Sequence, residues 1–242
     1  MSGSLFPSTR LSAIRDAQSD DSALRDRAVE VLVGIYWKPV YTYVRWRWRA
    51  APEDAEDLVQ GFFARALEKE FFARYEPERA RFRTFLRLAL DGYVANENRA
   101  ATRQKRGGGL PHLSLDFESA EGELRERALP QVLDPETLFE REWVRSLFSV
   151  AVERLRSHCD AVGKPAHFAL FERYDLEGPE AAERPTYREL AQGLGLPETQ
   201  VTNFLAWTRR EFRRSVLELL RELCGSEAEF RAEARALLGS DP

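Results

Sequence analysis

The chain has 242 residues, of which 43% are hydrophobic and 31% are charged, and its formal net charge is −4. This length allows one large domain or two small ones, and the slightly acidic balance argues against a general nucleic-acid coat. Only Cys159 and Cys224 are present, so no disulfide framework is expected. The sequence shows no membrane-spanning apolar run and no signal-peptide core, so we expect a cytoplasmic protein without membrane insertion.

The first half of the chain has the helical period almost throughout, and almost none of it alternates like a strand. A short helix is predicted over about residues 8–17, and a second helix from about Ser22 should end or kink at Pro39. Pro52 then begins a helix with acidic residues in its first turn. An aromatic connector leads to a long helix over about residues 83–106, which three glycines end.

The second half is also predicted to be helical. Asp134 and Pro135 are a strong helix start, and the helix should reach about His158. A helix over about residues 165–174 comes next, and Ser226 with Glu229 has the capping-box spacing that begins a last helix. We therefore expect an all-α fold with two small helical domains joined by a flexible linker. The predicted ranges are 1–106 for the first domain, 107–133 for the acidic linker, 134–221 for the second domain and 222–242 for a C-terminal helical extension.

Residues 185–214 have the pattern of a helix-turn-helix. Small and apolar residues are spaced so that two short helices pack across a turn, and Gly195 stands where the turn needs positive φ. Pro197 suits the first position of the second helix. Polar residues at the start of that helix can read base edges, and the arginines after them can bind phosphates. The alternative is an ordinary helical hairpin with a solvated basic end.

Two features of the first half are candidates for function. The helix from Pro52 has Asp54 and Asp57 on one face, which either docks a basic partner helix or only complements the helix dipole. Residues 79–106 contain eight basic and two acidic residues, a charge of +6, whereas residues 107–142 contain nine acidic and three basic residues, a charge of −6. Aromatic residues lie just upstream of the basic stretch, a combination typical of single-stranded nucleic-acid binding. The alternative is that the individual aromatic residues form the core.

Together these segments resemble an extracytoplasmic-function sigma factor of the sigma-70 family, which has sigma regions 2 and 4. The resemblance rests on DAEDLVQGFF, RFRTFLRLAL, ANENRAATRQKR and PTYRELAQGLGLPETQVTNFL, in this order along the chain. It covers about residues 24–106 and 134–220. It implies a transcription initiation factor that binds core RNA polymerase and promoter DNA, without a cofactor and without catalysis of its own. An anti-sigma factor or another regulator is a further partner that it leaves open.

The resemblance assigns residues to three surfaces. Polymerase docking is assigned to Asp54, Glu56, Asp57, Gln60 and Phe63. Contact with melted minus-10 DNA is assigned to Phe72, Tyr75, Arg79, Arg81, Asn96, Arg99, Arg103, Lys105 and Arg106. Contact with the minus-35 duplex is assigned to Arg188, Glu198, Thr199, Gln200, Thr202, Asn203, Arg209, Arg210 and Arg213.

The chain departs from the family pattern at three positions. Phe85 stands where a Trp is usual, Gly92 where an Asn is common, and Asn96 where an acidic residue is common. These departures leave the minus-10 base preference open. Two other functions also stay open: a free-standing helix-turn-helix regulator, and a polymerase-binding adaptor that does not open promoters.

Overall fold

The computed structural model describes residues 13–66, 69–101, 113–126, 134–177 and 185–239, with the side chains of residues 69, 70 and 101 left aside. Throughout these ranges the chain is helical and contains no strand, which confirms the predicted all-α class. In chain order the first helices are α1 (Ala13–Asp16), α2 (Ser22–Arg47), α3 (Pro52–Ala66), α4 (Lys69–Ala73), α5 (Phe82–Ala101) and α6 (Phe117–Glu126). They are followed by α7 (Pro135–Ala161), α8 (Pro165–Phe171), a π-helical turn (Glu172–Leu176), α9 (Tyr187–Leu194), α10 (Glu198–Leu223) and α11 (Glu227–Leu238).

The chain forms two compact units. Unit 1 contains Met1–Leu147 together with Leu220–Pro242, and unit 2 contains Phe148–Leu219. The division runs through α7 and α10. The boundaries predicted from the sequence lie in the acidic linker and just after residue 221. The C-terminal helix α11 therefore belongs to unit 1.

Helix α2 continues through Pro39 to Arg47, so this residue does not end the helix, which was one of the two outcomes expected from the sequence. Asp21 caps its N-terminus, where its carboxylate accepts a hydrogen bond from the Ala23 N–H at 2.9 Å. Residues on both sides of Pro39, among them Trp37 and Val40, are buried. This burial can offset the backbone hydrogen bond that proline removes.

The core of unit 1 is rich in aromatic side chains. Phe82, the first residue of α5, is 1% exposed and contacts four other rings. Its neighbours are Tyr36, Phe72, Tyr75 and Phe85, with ring centroids 5.2–6.1 Å away. Rings in edge-to-face and offset arrangements at such distances contribute beyond their buried area. The aromatic residues near the connector therefore form the core, as the alternative interpretation of the sequence held.

The core of unit 2 is smaller and mainly aliphatic. Leu155 and Cys159 of α7, Phe168 and Phe171 of α8, and Leu190 of α9 are buried in one cluster. Val201 and Leu205 of α10 complete it, each with no exposed surface. Leu194 lies outside this core, since its side chain is 45% exposed at the end of α9.

Candidate nucleic-acid and polymerase interfaces

In unit 2, helices α9 and α10 are joined by a short turn at Gly195, as the sequence predicts. Thr186 caps α9 through a full capping box, in which the Glu189 N–H donates to the threonine hydroxyl and the Glu189 carboxylate accepts from the Thr186 N–H. Gly195 ends the helix with φ +64°, the left-handed conformation that glycine adopts without strain. The Leu196 N–H then donates to the Ala191 carbonyl at 2.9 Å, which closes the turn before α10 begins.

The turn leaves one side of α10 buried and the other in solvent. Val201 and Leu205 point into the core and Phe204 packs against it, whereas Thr202 and Asn203 face outward. All five predicted base-reading positions and the predicted contact on α9 are exposed: Glu198, Thr199, Gln200, Thr202, Asn203 and Arg188. The Thr202 hydroxyl donates to the Glu198 carbonyl at 3.1 Å, which fixes its rotamer. This surface is polar, continuous and carried by a rigid helix.

The predicted phosphate-binding arginines have different surroundings. Arg210 is exposed and Arg213 is half-buried. Arg209 forms a bidentate pair with Asp175, with both nitrogen–oxygen distances 2.9 Å, and also donates to the Tyr187 hydroxyl at 3.2 Å. These contacts raise the pKa of the Arg209 guanidinium. Arg209 thus ties α10 to the π-helical turn and to α9, a structural role that sequence reasoning missed because its partner is 34 residues away.

Helix α3 in unit 1 carries the predicted polymerase-docking residues. Asp54 and Asp57 are exposed, and Glu56 and Gln60 are half-buried. Phe63, the fifth of these residues, is 3% exposed and lies in the core. The surface of α3 that a partner can reach is therefore its acidic side, without Phe63.

Gln60 contacts the part of the predicted acidic linker that precedes α6. Its carboxamide accepts from the Leu113 N–H at 2.9 Å and donates to the Leu113 carbonyl at 3.3 Å. Helix α6, which begins four residues later, packs on α2 through Phe117, whose ring lies 5.6 Å from Trp37 and 5.3 Å from Tyr41. The linker thus contains a docked helix in unit 1.

A buried carboxylate holds α6 in place. Glu121 accepts from the Tyr41 hydroxyl at 2.8 Å and from two nitrogens of Arg45 at 2.7 and 2.8 Å. The Arg45 guanidinium and the tyrosine hydroxyl lower the pKa of Glu121 to about 2. Lys38 adds an ion pair with Glu123 at 2.7 Å.

The connector (residues 72–82) carries four of the predicted minus-10 residues. Phe72 and Tyr75 are buried, at 3% and 6% exposure. Arg79 is exposed and pairs with Glu76 at 2.7 Å. Arg81 is partly exposed and pairs with Glu233 of α11 at 3.1 Å. The structure therefore brings the two arginines to the surface and leaves the two rings in the core.

A basic cleft of about 330 Å³ lies beside the connector and is bounded by α5 and the start of α7. Four arginines and two glutamates line it: Arg79, Arg81, Arg83, Arg87, Glu136 and Glu140. Arg83 is buried, forms ion pairs with Glu140 and Glu233, and lies over the Trp143 ring at 4.5 Å. The exposed arginines of this basic cleft are the ones that a phosphate could reach.

An aromatic groove of about 400 Å³ lies between α3, α4 and α5. Aromatic rings and two exposed arginines line it, together with Leu88, which is 56% exposed. The rings and arginines are Phe62, Phe71, Phe85, Tyr93, Arg65 and Arg74. Gly92 and Asn96 also line the groove, so all three departures from the family pattern lie in one place. Sequence reasoning did not find this groove, because it joins residues from three separate helices.

Asn96 and Arg99 of the predicted minus-10 set are exposed near the end of α5. Arg103, Lys105 and Arg106 lie outside the described residues. Within the described ranges, no group of three or more His, Cys, Asp or Glu residues is placed to hold a metal ion. None of the described helices combines the length and apolar character needed to cross a bilayer.

Comparison with protein-family models, with curated proteins and with solved structures finds no match for this chain.

Proposed function

We propose that this protein is a transcription initiation factor that binds core RNA polymerase and directs it to specific promoters. The observation that carries the proposal is the exposed polar end of α10, from Glu198 to Asn203, presented by a helix-turn-helix whose turn is closed at Gly195. A rigid helix with hydrogen-bonding side chains at its N-terminal end is what major-groove reading requires. In this proposal that surface reads the minus-35 duplex, and Arg210 and Arg213 contact the flanking phosphates.

The surfaces of unit 1 support a second contact, with melted DNA. The aromatic groove offers the partly exposed rings of Phe85 and Tyr93, with Arg65 and Arg74 at its edge. Arginine side chains next to aromatic rings are typical of single-strand binding sites. Its volume of about 400 Å³ suits one or two unpaired bases. The basic cleft would hold phosphates of the same strand. Stacking in the groove is worth roughly 1–3 kcal/mol per base, which offsets the cost of unpairing.

The acidic side of α3 supports a contact with a protein. Asp54 and Asp57 are exposed there, and Glu56 and Gln60 lie beside them. A basic coiled coil of the polymerase, as the resemblance implies, is complementary to this charge. The protein would then supply promoter recognition in the cytoplasm, and its partner would supply the chemistry of polymerisation. We therefore propose that the chain is a sigma factor of the extracytoplasmic-function type.

Run-off transcription tests the proposal directly. Purified core polymerase is incubated with fragments of the source genome, with and without this protein. We expect specific transcripts only when both proteins are present. Core binding without transcripts would instead favour an adaptor, and tight binding to a palindromic duplex without polymerase would favour a free-standing regulator.

A charge reversal tests the docking surface. Asp57→Arg should weaken binding to core polymerase at least tenfold and leave the unfolding midpoint unchanged, because Asp57 is exposed. Asp26→Arg is the matched control, since Asp26 is also exposed and lies on α2 of the same unit. Equal affinities of the two variants for core polymerase would remove α3 from the docking surface.

The adaptor has one specific observation in its favour. Phe85, Gly92 and Asn96, the three departures from the family pattern, all line the groove that the proposal gives to melted DNA. A groove altered at three positions could have a different base preference or could have lost base capture. Melting of a promoter labelled with 2-aminopurine at minus-10 distinguishes these two cases, because only a working initiation factor raises its fluorescence.

A further inference from the structure

The C-terminal helix α11 contacts the connector directly. Gly225, just before the helix, approaches the connector so closely that an added Cβ would lie 2.9 Å from Pro77 Cγ and 2.9 Å from Tyr75 Cε1. The Gly225 carbonyl accepts from Arg15 of α1 at 3.2 Å. The turn before α11 is thus fixed against two other parts of unit 1.

Glu229 is the centre of this contact. In a simple capping box its carboxylate would accept from the N-cap residue, Ser226. It accepts instead from the Gly225 N–H at 2.8 Å, from the Phe82 N–H at 3.2 Å and from the Tyr75 hydroxyl at 3.2 Å. One side chain therefore joins the start of α11, the connector and the first N–H of α5.

The contact between the Glu229 carboxylate and the Phe82 N–H stabilises the N-terminus of α5 electrostatically. Phe82 is the first residue of α5, and the first N–H groups of a helix lack partners within the helix. A carboxylate at that position satisfies a free N–H and complements the helix dipole. Glu229 thus acts as a cap for α5, supplied from a helix about 150 residues further along the chain.

Glu233, one turn after Glu229, extends the contact. Its side chain is 3% exposed and forms ion pairs with Arg81 and Arg83 at the end of the connector and the start of α5. Phe230 and Ala234 of α11 are also buried. The helix therefore carries apolar and charged anchors on the same side, and it holds the connector at both its ends.

We propose that residues 223–238 are a brace that sets the shape of the connector, and that Glu229 is its positioning residue. The inference rests on the proposed function for its consequence, because the connector joins the aromatic groove to the basic cleft. The brace holds Arg79 and Arg81 where a melted strand can reach them. Its loss would impair promoter opening without removing the acidic docking side of α3.

Hydrogen exchange on the full chain tests the brace without any partner. In Glu229→Ala, the amides of residues 75–82 should exchange at least tenfold faster than in the wild type. Glu227→Ala is the matched control, because Glu227 lies on the same helix but is exposed and pairs with Arg231 one turn away. Equal exchange in the two variants would overturn the brace.

Promoter opening tests the consequence. Glu229→Ala should reduce the rate of opening at least tenfold, measured with 2-aminopurine at minus-10, while affinity for core polymerase stays within twofold. Glu229→Gln should retain part of the activity, since the amide oxygen can still accept from the Phe82 N–H. Gly225→Ala, which forces the same contact apart, should resemble Glu229→Ala. A parallel fall in opening and in core affinity would show a general structural defect and would overturn the positioning role.

Two further outcomes separate this inference from the proposed function. If α11 instead blocks the connector, Glu229→Ala should open promoters faster than the wild type, which would also overturn the brace. If the wild type itself neither binds core polymerase nor opens promoters, the proposed function fails. Hydrogen exchange at residues 75–82 then still decides whether the brace exists.

Discussion

The two units differ in how far their candidate functional residues are exposed. Unit 2 presents the polar residues predicted to read bases, from Glu198 to Asn203, on the outside of a helix whose other side is buried. Unit 1 places the aromatic residues of its connector in the core and engages several of its arginines in ion pairs. A local pattern therefore suffices to find a surface in unit 2, whereas in unit 1 the same residue types serve mainly to build the fold.

The arginines make this difference concrete. Arg210 in unit 2 and Arg83 in unit 1 both belong to basic stretches of the sequence. Arg210 is exposed, but Arg83 is buried between Glu140, Glu233 and the Trp143 ring. A buried guanidinium of this kind needs its partners, since removing one partner leaves a charge without solvation. Basic residues in unit 1 can be assigned to DNA only after their partners are known.

The largest effect should come from the aromatic core of unit 1. Phe82→Ala removes a ring that is 1% exposed and contacts four others, so it should lower the free energy of unfolding by about 3–5 kcal/mol. Leu88→Ala on the same helix is the control, since a 56% exposed side chain should cost less than about 0.5 kcal/mol. Urea denaturation followed by circular dichroism measures both. A cost below about 1 kcal/mol for Phe82→Ala would mean that the ring is not part of the core.

Substitutions of the predicted base-reading residues of unit 2 should change DNA binding and leave the stability unchanged. Gln200→Ala should leave the free energy of unfolding unchanged, because the side chain is exposed. It should change the preference at one base pair by roughly 1–3 kcal/mol if it makes a good base contact. Arg210→Ala should instead weaken binding evenly across sequences and reduce the salt dependence. Fluorescence anisotropy titrations against a library of duplexes measure both effects. A loss of affinity for Gln200→Ala that did not depend on the DNA sequence would contradict the base-reading role of Gln200.

These differences explain which parts of the structure the sequence could predict. Helix starts at Pro52 and Asp134 and the turn at Gly195 have local causes, namely capping, proline position and positive φ, and the structure confirms them. The continuation of α2 through Pro39 has a tertiary cause, the burial of residues on both sides of it. Local propensity alone could not reveal that.

The candidate sites follow the same rule. The exposed side of α10 could be predicted because its periodicity is contained in one helix. The aromatic groove, the contact of Gln60 with Leu113 and the joining of Tyr75 to Glu229 connect residues that are far apart in sequence. Helix periodicity and motif spacing do not predict contacts between residues that are so far apart in sequence. The placement of α11 in unit 1, instead of as a separate extension, has the same origin.

A smaller effect is expected at the turn between α9 and α10. Gly195→Ala places a side chain at φ +64° and should lower the free energy of unfolding by about 1 kcal/mol. Gly193→Ala is the matched control two residues earlier. Gly193 lies inside α9 with open space around an added Cβ, so alanine should stabilise the protein by about 0.5–1 kcal/mol. Shifts of the same sign in the two variants would show that positive φ does not govern this turn.

The smallest stability effect should separate two neighbouring arginines. Arg209→Ala removes a bidentate pair with Asp175 and a hydrogen bond to Tyr187, so it should lower the free energy of unfolding by up to about 1 kcal/mol. Arg210→Ala should not change it, although both variants should bind DNA more weakly. Raising the salt concentration should reduce the stability difference, since Arg209 is partly exposed. Thermal unfolding at two salt concentrations measures this stability difference. Equal unfolding midpoints for the two variants at low salt would mean that Arg209 does not stabilise the fold.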